Sequence, residues 1–109
     1  MPGLSEPELG ALFAALADST RRQVVRSLAG AEPVTASRLA GELPMTRQAI
    51  AKHLGALERA GLVEPHREGR ETRYRLTPEP LDDAIRWMEE VGVRWDRSLA
   101  RLSERARRG

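Results

Sequence analysis

Apolar positions in the middle of the chain recur at helical spacing. Between Thr46 and Gly61 they form a single stripe, made by Ile50, Leu54 and Leu57. Thr46 is a good N-cap and Gly61 suits the position after a helix end, so the pattern predicts a helix with defined ends. The opposite face of its first two turns carries small, polar or basic side chains and no acid: Arg47, Gln48, Ala51 and Lys52.

The same periodicity predicts three shorter helices before this one, over residues 8–17, 19–29 and 36–43. Asp18 is a plausible N-cap for the second helix, and Thr35 for the third. Val34 is predicted as a very short strand. The third and fourth helices are separated only by a short turn, and the later one begins with an exposed polar face. This arrangement is typical of a helix-turn-helix.

After Gly61 the period of the apolar pattern changes from 3.6 to 2, which predicts two strands, 62–67 and 71–76. Pro65 restricts the first strand to a sheet edge or a bulge, and Gly69 suits the positive φ of a hairpin tip. The hairpin carries four arginines: Arg67, Arg70, Arg73 and Arg75. An arginine-rich hairpin at this place is typical of a winged helix-turn-helix, in which it contacts phosphates or the minor groove. The alternative is the ordinary polar outer face of a hairpin, since Glu68 and Glu71 dilute the positive charge.

A long last helix is predicted from Pro78, with apolar positions that alternate in steps of four and three. They are Leu81, Ile85, Met88, Gly92, Trp95, Leu99, Leu102 and Ala106. One small domain cannot bury all of this surface, so we expect a dimer interface shared with the first helix. The expected interface residues are Leu9, Leu12, Phe13, Leu81, Ile85, Met88, Trp95, Leu99 and Leu102. Ordinary core packing is the alternative for these residues. Whether the helix continues through Gly92 or is interrupted there is left open.

Composition favours a single globular domain over residues 1–109, with 40% apolar and 31% charged residues. Within it we expect a core unit at 8–76 and a dimerisation helix at 78–105. The chain has no cysteine, no apolar run long enough for a membrane span and no evident signal peptide. We therefore expect a cytoplasmic protein that has no disulfide and no membrane partner.

Charge is distributed unevenly, although the net charge is only +2. Residues 46–75 sum to +3 and residues 91–109 to +4, whereas residues 1–45 sum to −1 and residues 79–90 to −4. Basic charge is therefore concentrated in the central helix, the hairpin and the C-terminal tail. This distribution supports a nucleic-acid-binding face, but the polar side of the central helix could also be a solvated face of a core helix.

Four segments together resemble the ArsR-type winged helix-turn-helix repressors. They are FAALADSTRR at 13–22, PMTRQAIAKHL at 44–54, LERAGLV at 57–63 and EGRETRYRL at 68–76. Ser19 stands where many relatives have proline. The resemblance implies a mainly α fold of five helices and a wing, in the order α-α-α-α-β-β-α, which dimerises through its terminal helices.

The resemblance also implies roles for individual residues. Base readout is assigned to Arg47, Gln48, Ala51 and Lys52. Contacts to the DNA backbone are assigned to Thr35, Ser37, Thr46, His53, Arg67, Arg70, Arg73 and Arg75. His53 has packing against the protein as its alternative role.

Many members of the family bind metals, but the metal ligands are missing from this chain. Ala40 and Gly41 occupy positions where thiolates could lie, and the last helix has acids without histidine. The two histidines, His53 and His66, have no second imidazole at helical spacing. We therefore expect no metal and no cofactor, as in the metal-independent branch of the family. Whether a small-molecule effector exists is left open.

The leading hypothesis is a homodimeric, sequence-specific repressor that binds double-stranded DNA at a pseudo-palindrome. The alternative is a winged-helix module for protein–protein interaction in a larger assembly. The basic face argues against that alternative, because protein interfaces are depleted of charge at their centres. An enzyme is disfavoured, since the chain has no cysteine, no glycine-rich phosphate loop and no paired His–carboxylate motif.

Overall fold

The structure is a computed structural model that describes residues 3–30 and 32–108. The first two positions and the last position of the predicted domain lie outside the described residues. The helices are α1 (Glu6–Leu16), α2 (Ser19–Ser27), α3 (Ala36–Glu42), α4 (Arg47–Arg59) and α5 (Pro78–Arg108), and the strands are β1 (Val34–Thr35), β2 (Val63–Glu68) and β3 (Glu71–Leu76). The predicted fold class, five helices with a small antiparallel hairpin, is confirmed.

Side-chain caps fix where α2, α3 and α4 begin. The carboxylate of Asp18 accepts hydrogen bonds from the backbone N–H groups of Thr20, at 2.8 Å, and Arg21, at 3.1 Å. Thr35 accepts from Arg38 N at 3.2 Å, and Thr46 accepts from Ala49 N at 3.1 Å. These bonds satisfy N–H groups that have no partner within the helix, so the three starts lie where the sequence predicts them.

The start of α1 differs from the prediction. Ser5 Oγ accepts from Glu8 N at 3.3 Å, and Ser5 N donates back to Glu8 Oε1 at 3.4 Å, which is a reciprocal capping box. The helix therefore begins at Glu6, two positions before the predicted start.

Gly61 ends α4 and redirects the chain into the hairpin. Its φ is +80°, a value that residues with a Cβ rarely adopt. The next residue, Leu62, donates its N–H to the carbonyl of Leu57 at 2.9 Å, which closes the last turn of the helix. The change of period at this position thus coincides with the change from helix to strand.

The strands form one antiparallel sheet in the order β1-β3-β2. β2 lies at an edge, where the missing N–H of Pro65 costs no ladder hydrogen bond. Gly69, with φ of +60°, forms part of the hairpin turn. The short strand β1 pairs Val34 with Tyr74 and Thr35 with Arg73, so the sheet ties the start of α3 to the hairpin.

One apolar cluster joins the helices to the base of the hairpin. Its buried members are Leu9, Leu12, Ala15, Val24, Leu28, Leu39, Ile50, Leu54, Leu57, Leu62, Val63 and Ala84. Two of them, Leu9 and Leu12, were expected at the dimer interface. They are 6% and 0% exposed, so both pack in the core of the protomer, which is the alternative given above for these positions.

α5 contributes only Ala84 to the buried core and continues without a break through Gly92. This helix runs for 31 residues and extends well past the core. The protomer as a whole, including α5, measures 68 × 34 × 24 Å. Within the described residues, no helix is both long enough and apolar enough to cross a membrane.

Candidate nucleic-acid interface

The two sides of α4 have opposite environments. Ile50, Leu54 and Leu57 have no exposed surface, because they pack in the core cluster. The other side faces solvent over the first two turns, through Arg47, Gln48, Ala51 and Lys52. α4 thus presents two cationic side chains, one amide and one methyl group in an arrangement that a major groove can accept.

A groove of about 320 Å³ connects α4 to the hairpin and to the start of α3. It brings Arg47 and Ala51 of α4 together with Arg70 near the hairpin tip. Thr35 and Ser37, predicted as backbone contacts, line its α3 side. Three elements that are distant in sequence therefore share one concave surface.

Four residues that line the groove are not among the predicted site residues: Ala36, Glu71, Thr72 and Tyr74. Thr72 and Tyr74 alternate with Arg73 and Arg75 along β3. One face of the strand therefore carries the uncharged pair, and the other face carries the two arginines. The period-2 pattern of this strand could have identified Thr72 and Tyr74, because they are the uncharged positions between the arginines.

The hydroxyl groups of Thr35 and Thr46 already serve as helix caps. Each accepts a backbone N–H, as described above, but a hydroxyl that accepts one hydrogen bond still has its own hydrogen to donate. Both groups can therefore cap a helix and donate to a phosphate oxygen at the same time.

The four hairpin arginines have different environments. Arg75 Nε lies 2.6 Å from Glu64 Oε1, and Arg73 lies 3.3 Å from Glu71 and 3.6 Å from Glu68. The strand register explains the first pair, because it places Glu64 opposite Arg75. Arg73 lies opposite His66, and its acidic partners Glu68 and Glu71 are at the hairpin ends of β2 and β3.

The two arginines nearer the tip have fewer ionic partners. Arg67 Nε donates to the carbonyl of Gly69 at 3.3 Å. Arg70 takes part in none of the ion pairs found among the described residues. Arg70 is thus the hairpin cation with the least competition for a phosphate.

His53 lies on the flank of α4 that faces the start of α2. Its Nδ1 is buried and has no hydrogen-bond partner among the described residues, and the same is true of Nε of Arg21. The structure therefore favours packing against the protein over the predicted phosphate contact of His53. The other histidine of the chain, His66, is exposed on β2, and its Nε2 lies 3.8 Å from Glu68 Oε1.

The turn between α1 and α2 is held by charged side chains. Arg22 donates to the carbonyl groups of Leu16, at 2.7 Å, and Ala17, at 3.0 Å, which satisfies the end of α1. The backbone N–H of Arg21 is the main cause of a lowered pKa of Asp18. The N–H of Thr20 and the positive charges of Arg21 and His53 lower the same pKa further, against an opposing effect of desolvation.

The outer surface of α5 is rich in exposed apolar side chains. The predicted interface positions that remain largely exposed are Ile85, Met88, Trp95, Leu99 and Leu102. Leu81 and Phe13 are partly buried against the core, and the Phe13 ring packs on Trp87 with centroids 5.6 Å apart. This surface is much larger than the isolated apolar residues of an ordinary monomer surface.

Potential metal ligands do not cluster in the part of the chain that the structure describes, where no group of three His, Cys, Asp or Glu side chains is close enough to hold an ion. The polar groups of the interface are mainly hydroxyl, amide and guanidinium groups, together with one lysine and the carboxylate of Glu71. These groups suit hydrogen bonding to bases and phosphates.

A helix-turn-helix followed by a hairpin wing, with a basic exposed face on its second helix, defines the winged helix-turn-helix class of DNA-binding proteins. Residues 16–66 match the family described as a helix-turn-helix domain. The chain is 41% identical over 86 residues to the uncharacterized HTH-type transcriptional regulator YuzN of Bacillus subtilis, a match that covers 72% of this chain and 94% of YuzN. It is 34% identical over 77 residues to the transcriptional repressor SdpR of the same organism. That match covers 71% of this chain and 84% of SdpR.

Solved structures agree with these relatives. An ArsR-like transcriptional regulator from Rhodococcus sp. RHA1 has a TM-score of 0.82 and 46% identity, and the match covers 94% of each chain. The homodimeric winged helix-turn-helix DNA-binding domain of Mb0332 from Mycobacterium bovis has a TM-score of 0.62 and 28% identity, covering 88% of this chain and 91% of that one. The chain belongs to the ArsR family of transcriptional regulators. The predicted class of DNA-binding regulator, as opposed to an enzyme, is confirmed by this membership.

Proposed function

We propose that this regulator is a cytoplasmic homodimeric repressor that reads a pseudo-palindromic operator with α4. The observation that carries the proposal is the shared groove, which is lined by Arg47 and Ala51 of α4 and by Arg70 of the hairpin. A duplex whose major groove receives the start of α4 would bring its flanking backbone to the hairpin, where Arg70 can bind a phosphate.

Base readout is assigned to the exposed start of α4. Arg47 can donate two hydrogen bonds to a guanine, and Gln48 can bind both exposed groups of an adenine edge. Ala51 offers a methyl contact to thymine and leaves room for the approach, while Lys52 supplies charge to the backbone. Thr35, Ser37 and Thr46 are proposed as donors to phosphates, which fix the register of the protein on the duplex.

The dimer is proposed to form through the exposed apolar side of α5. Trp95 and Leu102 are 62% and 59% exposed in the protomer, and a twofold partner offers the same apolar surface to cover them. The homodimeric relative from M. bovis supports this arrangement. Two α4 helices would then enter successive major grooves about 34–36 Å apart.

The decisive experiment is selection of bound duplexes from a random DNA pool, followed by sequencing. The proposal expects an enriched motif with twofold symmetry and half-site centres about one helical turn apart. Enrichment of a single asymmetric half-site would contradict the dimeric arrangement. A pool that shows no enrichment, from a protein that is folded and dimeric, would contradict sequence-specific binding.

A further inference from the structure

The last four turns of α5 carry a straight row of arginines that the proposed operator contact does not use. They recur at steps of three, four, four and three: Arg94, Arg97, Arg101, Arg105 and Arg108. At about 100° per residue, this spacing places them in one narrow sector of the helix. We call this row the arginine stripe. All five side chains are exposed.

The stripe is not neutralised by the protomer. Arg108 lies 2.9 Å from Glu104, but the other four arginines take part in none of the ion pairs found in the described residues. By contrast, Arg86 near the base of the same helix pairs with Asp83. Residues 94–108 contain six arginines and two acids, so this segment has a charge of +4.

Helix stability does not account for the stripe. Cations are favourable in the last turn of a helix, because they interact with its dipole, and this explains Arg105 and Arg108. Arg97 and Arg101 lie well before that turn. Each has another arginine four residues away, a like-charge spacing that destabilises a helix. This spacing of Arg97 and Arg101 therefore weakens the isolated helix, and an anionic partner that binds the arginines would remove the repulsion.

The stripe also remains accessible in the proposed dimer. The apolar residues of the same turns are Trp95, Leu99 and Leu102, and their sector is centred about 130° around the helix from that of the stripe. A partner that covers the apolar sector leaves the arginines at the outside of the helix pair. The stripe begins ten residues after Ala84, the last core residue, so the protomer's own globule does not cover it either.

We propose that the arginine stripe is a second, sequence-independent binding surface for the phosphate backbone of a DNA duplex other than the operator held by α4. The stripe is about 21 Å long, which matches the axial length of about six base pairs. Guanidinium groups bind phosphates through paired hydrogen bonds, and all five cations are arginine. The regulator would thereby hold two DNA segments at once.

Other anionic partners fit the stripe less well. An acidic protein surface would have to place a matching row of carboxylates at the centre of an interface, where Asp and Glu are normally depleted. An anionic membrane surface would attract the stripe by charge. The apolar insertion that strengthens such binding would need the sector of these turns that is assigned to the dimer.

The test is a bridging assay with the full chain. A biotinylated duplex that carries the selected operator is fixed to beads, the protein is added, and a fluorescent duplex of unrelated sequence follows in solution. The variant R97Q/R101Q removes two charges from the stripe, and the control R26Q/R107Q removes two exposed charges outside it. Glutamine is a good helix former, so both variants should fold.

We expect the wild type and the control to transfer the fluorescent duplex to the beads equally well. R97Q/R101Q should transfer about tenfold less of the fluorescent duplex at low salt. Its slope of log affinity against log salt concentration should be shallower by about 1.8, because two phosphate contacts are lost. Equal transfer by R97Q/R101Q and wild type would overturn the proposal, since bridging would then come from the two α4 helices.

Two further outcomes would also overturn it. If R97Q/R101Q lowers the dimer mass in sedimentation, the stripe binds acidic residues of the second copy. If R97Q/R101Q loses binding to anionic phospholipid vesicles but not to duplex, the partner is a membrane.

The proposal rests on the proposed function in taking DNA as the ligand, but the two can fail separately. Retention of the protein on operator beads reports α4, and transfer of the second duplex reports the stripe. Should the wild type not be retained, direct titration of wild type and R97Q/R101Q with the fluorescent duplex still decides the stripe: equal affinities would overturn it.

Discussion

Glu64 and Arg75 face each other across the β2–β3 hairpin and form an ion pair, with Arg75 Nε 2.6 Å from Glu64 Oε1. The charge of Arg75 is therefore matched within the protomer, whereas Arg70 lies in the groove beside Arg47. This difference ranks the hairpin arginines as phosphate ligands, which the sequence alone presents as equivalent.

The first prediction concerns this ranking. Arg70→Ala should weaken DNA binding at all sequences and reduce the salt slope of log affinity by about 0.9, because one phosphate contact is lost. Arg75→Ala should have the smaller effect, since its guanidinium must first leave Glu64. Fluorescence anisotropy over a series of salt concentrations measures both. A larger loss for Arg75→Ala would show that the Glu64 pair opens on binding.

The second prediction separates base readout from charge at the start of α4. Gln48→Ala should lower affinity for the selected operator by about 1–3 kcal/mol while leaving the salt slope unchanged, because an uncharged base contact is lost. Arg47→Ala should lower both the affinity and the slope. Arg26→Ala, an exposed arginine on α2, is the control. Operator affinities of Arg47→Ala and Gln48→Ala equal to that of the parent would refute this assignment.

The third prediction concerns the dimer. Leu99→Asp should give a monomer, since it places a charge in the apolar sector of α5, and operator affinity should fall by at least about tenfold because one half-site is lost. Val93→Asp is the matched control: Val93 is 49% exposed and Leu99 43%, but Val93 lies among charged residues on another side of the helix. Light scattering after gel filtration gives the masses. A dimeric Leu99→Asp protein would place the interface elsewhere.

The fourth prediction concerns acid stability. Because the backbone N–H of Arg21, above all, lowers the pKa of Asp18 below its usual 3.8, the ionised carboxylate stabilises the fold at higher pH. That stabilisation is fully present above 3.8 and is lost as the pH falls through the lower pKa of the folded state. Asp18→Asn keeps a capping oxygen but loses the charge, so its melting temperature should be lower at neutral pH and should converge with that of the parent in acid.

The control for the acid series is Asp82→Asn, which removes an exposed carboxylate from α5. Its melting curve should follow the parent at every pH. A constant difference between Asp18→Asn and the parent from neutral pH into acid would show that the cap geometry, and not the charge, is what matters at Asp18.

Local signals in the sequence predicted much of the fold. Asp18, Thr35 and Thr46 cap helices through bonds to residues two or three positions away, so their roles can be inferred from short segments. The glycines at 61 and 69 mark the end of α4 and the hairpin tip for the same reason. The start of α1 at Glu6 was not predicted, although Ser5 and Glu8 form a capping box, because the apolar spacing of this helix begins only at Leu9.

The environment of a charged or apolar side chain was harder to predict. The wing arginines look alike in sequence, but the strand register gives Arg75 an acidic neighbour and leaves Arg70 beside α4. Leu12 and Leu99 both occupy apolar stripes, yet Leu12 is fully buried in the protomer and Leu99 is 43% exposed. Periodicity shows that a face is to be covered, but it does not show which neighbour covers it.

The unbroken course of α5 through Gly92 has a mechanical consequence. From Ala84 to Arg108 the helix extends about 36 Å with no kink to absorb a change of direction. A tilt of about 10° at its base, such as slight repacking around Ala84 could produce, would move its far end by about 6 Å. In the proposed dimer, substitutions near Ala84 could therefore alter the distance between the DNA-contacting surfaces of the two protomers without changing either surface.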